Sequence, residues 1–467
     1  MDLMYFKDNK KEDLYKQIQQ IYTADERPWV IGFSGGKDST VVVQAIFYAL
    51  KDLPKNKLTK PVYVISSDTM VENPKIISHI ETQLNNMKKA ANDLNIPIHV
   101  QKVMPNVKDS FWVNLIGKGY PAPRQKFRWC TDRLKIDPAN DFILKTVSEF
   151  GEAIVVLGVR KSESSTRAQV MNTHKIEGKT LRRHSNLPNS YVFAPIEDFS
   201  LGDVWTYLLQ VPNPWGSNNH DLLSLYEDSN SGECPLVIDQ STPSCGNSRF
   251  GCWVCTVVSE DKSLSGFIDS GKNQEQSNDW LIPLQQFRNW LSENRDIPEN
   301  REKKRMNGMV YLVGDEDNRR KGLGPYTLEH RQEILQYLLQ IEKEIQNPED
   351  PSYELITIDE LKEIRRIWFE KGDWNDSLPD IYREVYDTEP DWEIEQSEFM
   401  DPNDIKELKS LCDSEGVEFE LIQKLVNIEN KHYGYKRRHG VLKDINRTLN
   451  EEWIHFDKIQ GEDYADK

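Results

Sequence analysis

Six consecutive residues, Ser34-Gly35-Gly36-Lys37-Asp38-Ser39, have the composition of an anion cradle. Two glycines let the backbone approach a phosphate without a clashing side chain. A helix opening here would aim free N–H groups and a partial positive charge at the same anion. Lys37 adds a full charge, and Ser34 and Ser39 add hydroxyl donors. Asp38 is out of place beside a phosphate unless it holds Mg²⁺ or orders the loop. The pattern is not the G-x-x-x-x-G-K-[ST] loop of common nucleotide hydrolases. A plain glycine turn between strand and helix is the alternative. A second group with chemistry is Cys245-x6-Cys252-x2-Cys255, where the C-x-x-C spacing lets two thiolates face one centre.

The elements around these residues decide whether they can act. Trp29-Val30-Ile31-Gly32-Phe33 is a short apolar run with β-branched members, and Thr40–Ile46 after the loop reads as helical. The pattern predicts further strands at Val62–Ile65, Ile98–Val100 with Val103, and Ala153–Gly158, with a helix over 74–94. Strands separated by helices predict an α/β fold with a parallel sheet and right-handed crossovers. Ligands bind such sheets at the carboxyl ends of the strands, so Asp68, in Ser66-Ser67-Asp68-Thr69 after the second strand, is a candidate adenosine contact or an ordinary polar turn. Beyond about residue 265 the chain reads as mainly helical, at 280–294, 327–346, 358–370, 402–412 and 417–432. Thr357-Ile358-Asp359-Glu360 is a capping box for the third of these. The expected division is therefore a catalytic core over 1–265 and a helical extension over 266–467.

The 467 residues carry a net charge of −17, which argues against a surface that binds nucleic acid everywhere but leaves room for a local basic face. Basic clusters occur at Arg124, Lys126, Arg128 and Arg133, at Arg182-Arg183-His184, at Arg301, Lys303, Lys304 and Arg305, and at Lys436-Arg437-Arg438-His439 beside Tyr433 and Tyr435. Each suits either phosphate contacts or solvated charge. No apolar run reaches membrane-spanning length, and the N-terminus lacks the order of a signal peptide. The cytoplasm is the expected compartment, where six cysteines point to cofactor or catalytic roles before disulfides. Cys412 sits in the apolar pattern of a helix and reads as a core thiol.

The Ser34–Ser39 loop resembles the SGGxDS loop of the ATP pyrophosphatases, which cleave ATP between the α and β phosphates. Gly158-Val159-Arg160-Lys161-Ser162-Glu163-Ser164 with Arg167 is similar to the G-x-R-x-x-E-S…R stretch of phosphoadenylylsulfate (PAPS) reductases. Pro195–Ser200 with Asp203-Val204-Trp205 resembles their P-I-x-D-W…D-V-W segment, and Trp129–Ile136 their C-C-x-x-x-K region, with Trp129 at the first cysteine position. The resemblance spans about residues 27–256 and implies an adenine nucleotide alpha hydrolase-like core. In it, Lys37 and Asp38 act catalytically, the Ser34–Ser39 loop, Asp68, Arg160 and Arg167 bind nucleotide, and Cys130 joins the cysteine pair. Four thiolates, Cys130, Cys245, Cys252 and Cys255, suit either zinc or a [4Fe–4S] cluster. Spacing does not choose, and the resemblance favours iron–sulfur. Cys234 is an alternate ligand, a mobile sulfur carrier, or chemically silent.

Asn213-Pro214-Trp215-Gly216, followed by Cys245–Thr256 and a helical C-terminal half, resembles the DndC family of bacterial DNA phosphorothioation sulfurtransferases. That resemblance implies ATP, Mg²⁺ and a [4Fe–4S] cluster. It implies a cysteine desulfurase as sulfur donor, other phosphorothioation proteins as partners, and a DNA substrate held largely by those partners. It also implies an extension that docks a partner or DNA. A PAPS or adenylylsulfate reductase, a tRNA thiolase and a nucleotide-sensing scaffold are the competing readings. About 200 further residues and the added Cys245 separate the chain from the reductases.

Overall fold

A computed structural model describes residues 8–163, 180–228, 251–271, 277–306, 308, 310, 312–313, 320–345, 350, 353–390, 402–432 and 440–450. Its centre is a six-stranded sheet of β1 (Trp29–Gly32), β2 (Val62–Ser67), β3 (Ile98–Val103), β4 (Ala153–Val156), β5 (Arg182–Arg183) and β6 (Ser190–Phe193), in the order β3-β2-β1-β4-β6-β5. Every pairing is parallel except that of β5 with β6. The expected α/β fold is therefore present, with β6 as a parallel strand that sequence reading missed.

All four residues of β1 and of β4 are buried, so both faces of the sheet must be covered. On one face Val30, Ile65, Val103 and Val155 pack with Ala139 and Ile143 of the helix Asp137–Phe150. On the other, Trp29 meets Tyr22 edge-on, with ring centroids 5.5 Å apart. Tyr22, Ile18 and Leu14 form the buried stripe of α1 (Asp8–Thr23), which lies along α2 (Lys37–Lys51). Nearly every residue of α2 is buried, including Val41, Val42, Val43 and Ile46, as a helix enclosed on all sides requires. The helix α3 (Pro74–Asp93) opens with Pro74 in its first turn, and its N-cap Asn73 accepts from the Lys75 amide.

The strand order reverses between β1 and β4. The loop leaving β1 at its carboxyl end therefore opens at the topological switch point, where α/β sheets hold ligands. That loop is Ser34–Gly36.

The described chain forms two compact units. One comprises 1–111, 123–289 and 346–353 and carries the sheet; the other comprises 112–122, 290–345 and 354–467. In the second unit the helical turn Val113–Gly117 is held through its carbonyls. Trp368 Nε1 donates to Ile116 O at 2.8 Å and an Arg331 amino group to Gly117 O at 2.8 Å. Helices span Leu328–Glu344, Ile358–Glu370, Ser377–Tyr386, Pro402–Glu415, Phe419–Lys431 and Val441–Leu449. The expected Thr357/Glu360 capping box is formed in both directions. Among the described residues no helix is long and apolar enough to cross a membrane.

Candidate nucleotide site

The loop has the conformation its composition predicts. Gly35 has φ +72°, a left-handed value, and a Cβ there would lie 2.6 Å from Ile80 Cγ1. Gly36 is the extended N-cap of α2. The Gly36 carbonyl accepts from the Thr40 amide at 3.0 Å, from Thr40 Oγ1 at 2.9 Å and from Ser39 Oγ at 2.9 Å. Ser39 Oγ also takes the Ser34 amide at 3.3 Å and lies 3.2 Å from Ser34 Oγ. These bonds tie the loop back onto the first turn of its helix.

Behind the loop lies a buried charge cluster. Lys37, Asp38 and Arg160 are 3%, 7% and 3% exposed, so their charges must be matched internally. Asp38 accepts a short hydrogen bond from Arg160 Nε and lies 3.5 Å from Lys37 Nζ. Arg160 also donates to Ser162 Oγ at 2.9 Å and pairs with Glu163 at 3.6 Å. Burial, with Arg160 nearby, brings the Lys37 ammonium down from 10.5 to about 8, while Asp38 pulls the other way. Gly158 completes the packing. A Cβ there would sit 2.9 Å from the carbonyl of Asp38 and from the Ser39 amide, so a glycine lets β4's continuation back onto the loop.

Two side chains that sequence reading missed also reach the loop. His79, on α3, hydrogen-bonds the Gly35 backbone, and burial lowers its imidazole to about 4, so it is neutral at ordinary pH. Tyr226 comes from the helix α4 (Asn219–Asp228), and its hydroxyl accepts from the Lys37 amide at 3.2 Å. Neither position carries a local signal, because the contacts are made by folding.

Asp68 follows β2. It accepts from the Met70 amide at 2.9 Å and pairs with Lys102 at 3.0 Å. Just before it, Ser67 Oγ is buried with no hydrogen-bond partner among the described residues, a polar group available to a nucleotide at the carboxyl edge of the sheet. Arg167, Cys234 and Cys245 lie outside the described residues.

The C-x-x-C loop reaches the same edge. Residues 251–253 pair with 71–73: the Asn73 amide donates to Gly251 O at 3.2 Å, and the Trp253 amide to Val71 O at 3.1 Å. The Cys255 amide closes a turn onto Cys252 O at 3.1 Å. Cys252 Sγ lies 3.4 Å from Thr69 Oγ1. Burial and Glu72 push its thiol well above the usual range, and Lys135 opposes them. Lys135 itself pairs with Glu72 at 3.2 Å. Cys130 lies on the turn Trp129–Thr131, at the start of the helical stretch that carries Lys135. Among the described residues no three candidate metal ligands are gathered close enough to hold one ion. The buried Arg288, also missed in the sequence, braces the cysteine loop by donating to Cys255 O at 2.8 Å, to Ser259 O at 2.9 Å and to Val258 O. Two members of the basic clusters turn inward: Arg182 pairs with Glu197, and Arg301 donates to Gly324 O and Arg295 O. Arg437 and Arg438 lie outside the described residues.

This geometry can be set against known proteins. Residues 28–258 match the phosphoadenosine phosphosulfate reductase domain. The sheet-bearing part of the chain is similar to that domain. An uncharacterized protein of Methanocaldococcus jannaschii is 26% identical over 251 residues, which is 54% of this chain, and the chain spans only 41% of that relative. Among solved structures, the U34-tRNA thiolase NcsA from Methanococcus maripaludis with its [4Fe–4S] cluster aligns at 13% identity and TM-score 0.30, covering 62% of this chain and 81% of the thiolase. FMN adenylyltransferase from Candida glabrata aligns at 13% identity and TM-score 0.27, covering 45% of this chain and 60% of that one. The stretch matched by the family model, residues 28–258, contains the phosphate loop, the buried charge cluster and the cysteine loop together.

Proposed function

We propose that this chain is an ATP-dependent sulfurtransferase that adenylates a phosphate acceptor with release of pyrophosphate, and that the acceptor is a DNA backbone phosphate. The observation that carries the reading is the meeting of two chemistries at one edge. The phosphate loop opens at the end of β1, and the C-x-x-C loop docks on the segment that follows β2.

In this reading a non-bridging oxygen of the DNA phosphate attacks the α phosphorus of ATP, and the bond to pyrophosphate breaks. The acceptor then carries AMP as its leaving group. Persulfide sulfur from a cysteine desulfurase is first released as sulfide by a thiol reductant, which supplies two electrons and breaks the S–S bond. The sulfide attacks the DNA phosphorus, the bond to the AMP oxygen breaks, AMP leaves, and sulfur stands where oxygen was. Lys37 and the first amides of α2 hold the charge that builds on the departing pyrophosphate. Asp38, itself held by Arg160, fixes the Lys37 ammonium, and Ser34, Gly35, Gly36 and Ser39 shape the cradle. Asp68, Ser67 and Arg167 are the proposed further nucleotide contacts. Mg²⁺ bound with ATP supplies additional charge neutralisation.

The thiol set fits a cluster in its chemistry. Cys252 and Cys255 share one turn beside the Lys135 ammonium, and a metal would take the half-buried Cys252 as thiolate despite its raised pKa. Cys130, Cys245, Cys252 and Cys255 would hold a [4Fe–4S] cluster, which supplies a site for sulfide. The helical part of the chain is the proposed docking region for partner proteins and DNA. Nuclease digestion of host DNA with and without this protein, followed by mass spectrometry, tests the acceptor. Phosphorothioate dinucleotides that depend on the protein are expected. Thiolated tRNA with no change in DNA would transfer the assignment to a tRNA thiolase, and sulfite production to a reductase.

A further inference from the structure

The groups that make the phosphate loop an anion site are already engaged by one side chain. The Lys37 amide, first in α2, donates to the Tyr226 hydroxyl at 3.2 Å, and the Lys37 ammonium lies 5.1 Å from the centroid of the Tyr226 ring. The same hydroxyl lies 3.1 Å from where a Cβ on Gly36 would stand, within the space that glycine leaves open. An oxygen accepting from a helix-terminal N–H stands in for a phosphate oxygen. A ring face near the ammonium supplies the attraction that a phosphate charge would otherwise supply. Trp205 packs edge-on against Tyr226, with centroids 5.3 Å apart, and fixes the ring from behind.

We propose that Tyr226 is a self-supplied occupant of the phosphate loop, which the phosphates of the nucleotide must displace in order to bind. The proposal rests on the loop being a nucleotide site. It makes Tyr226 a positioning residue that sets phosphate affinity. Loading of nucleotide then requires the Tyr226 side chain to leave the Lys37 amide, and Trp205 senses that departure.

The test is calorimetric binding of α,β-methylene-ATP, and separately of adenosine, to the full chain and to Tyr226→Phe. The phenylalanine keeps the ring and loses the oxygen. Because one neutral hydrogen bond no longer has to be broken, the analogue should bind about fivefold more tightly. Adenosine, which has no phosphate to compete with the hydroxyl, should bind equally to both proteins. Tryptophan fluorescence should change on analogue binding, and that change should shrink in Trp205→Phe. Unchanged or weaker analogue binding by Tyr226→Phe overturns the proposal, as does equal tightening for adenosine. If neither protein binds the analogue or adenosine, the nucleotide reading of the loop fails, and this proposal falls with it.

Discussion

Replacing Asp38 with asparagine removes one negative charge and leaves the shape of the side chain intact. Asp38 is the anion between two buried cations, accepting from Arg160 Nε and lying 3.5 Å from Lys37 Nζ. Without it, Lys37 and Arg160, each 3% exposed, repel one another in a dry site. Breaking a buried pair by removing one partner costs about 3–5 kcal/mol. For a unit of this size each kcal/mol moves the melting temperature by about 2–4 °C, so Asp38→Asn should melt about 6–20 °C lower. The same reasoning predicts a specific rescue. Pyrophosphate returns negative charge to the two cations, so a saturating amount should raise the melting temperature of the variant more than that of the parent. Melting followed by near-ultraviolet circular dichroism, with and without pyrophosphate, reads both effects. A variant that melts within about 1 °C of the parent, or an equal rise with pyrophosphate in the two proteins, would refute the charge argument.

Other consequences follow from the same contacts. Lys37 has its folded pKa lowered from 10.5 to about 8, so the unfolded chain binds more protons between those values and stability should rise with pH across that window. Pyrophosphate affinity should fall as pH passes about 8, because the free loop loses its cation; a profile unchanged in Lys37→Met would place the titration elsewhere. Gly158→Ala sets a methyl 2.9 Å from the peptide joining Asp38 and Ser39, which has no flexible end to yield. It should cost about 1–3 kcal/mol in denaturant unfolding and lower nucleotide affinity as well, and parental behaviour in both assays would show that the loop does not rest on Gly158. Arg288→Met leaves the carbonyls of Cys255, Val258 and Ser259 without their donor, and anaerobically purified variant should hold less iron than the parent's expected four per chain. Equal iron in the two proteins would show that the brace is not needed, and zinc in place of iron would favour a structural metal.

The parts legible in the sequence were those whose signal is local. The β1 run, the glycine pair and the opening of α2 follow one another without interruption, so composition and position agree there. The capping box at Thr357 is likewise complete within four residues. The strand Ser190–Phe193 escaped notice because it is four residues long and is identified as a strand by its parallel partner β4. The helix Asp137–Phe150 was hidden by its entry, a π-helical stretch over Asp132–Ile136 that breaks the helical period. Tyr226 stands 189 residues from Lys37, and Arg288 stands 33 residues from Cys255. Nothing near either in the sequence shows what it will touch. The motif gives Arg160 as a phosphate ligand, but it does not show that the guanidinium also lies against Asp38, Ser162 and Glu163.

The central claim is that the loop directs cleavage of ATP between its α and β phosphates. Incubation of the full chain with ATP, Mg²⁺ and acceptor DNA, followed by ³¹P resonance spectroscopy of the products, tests it directly. The account predicts AMP and pyrophosphate in equal amounts from the parent and neither from Lys37→Ala. ADP and orthophosphate, or undiminished AMP from Lys37→Ala, would contradict it.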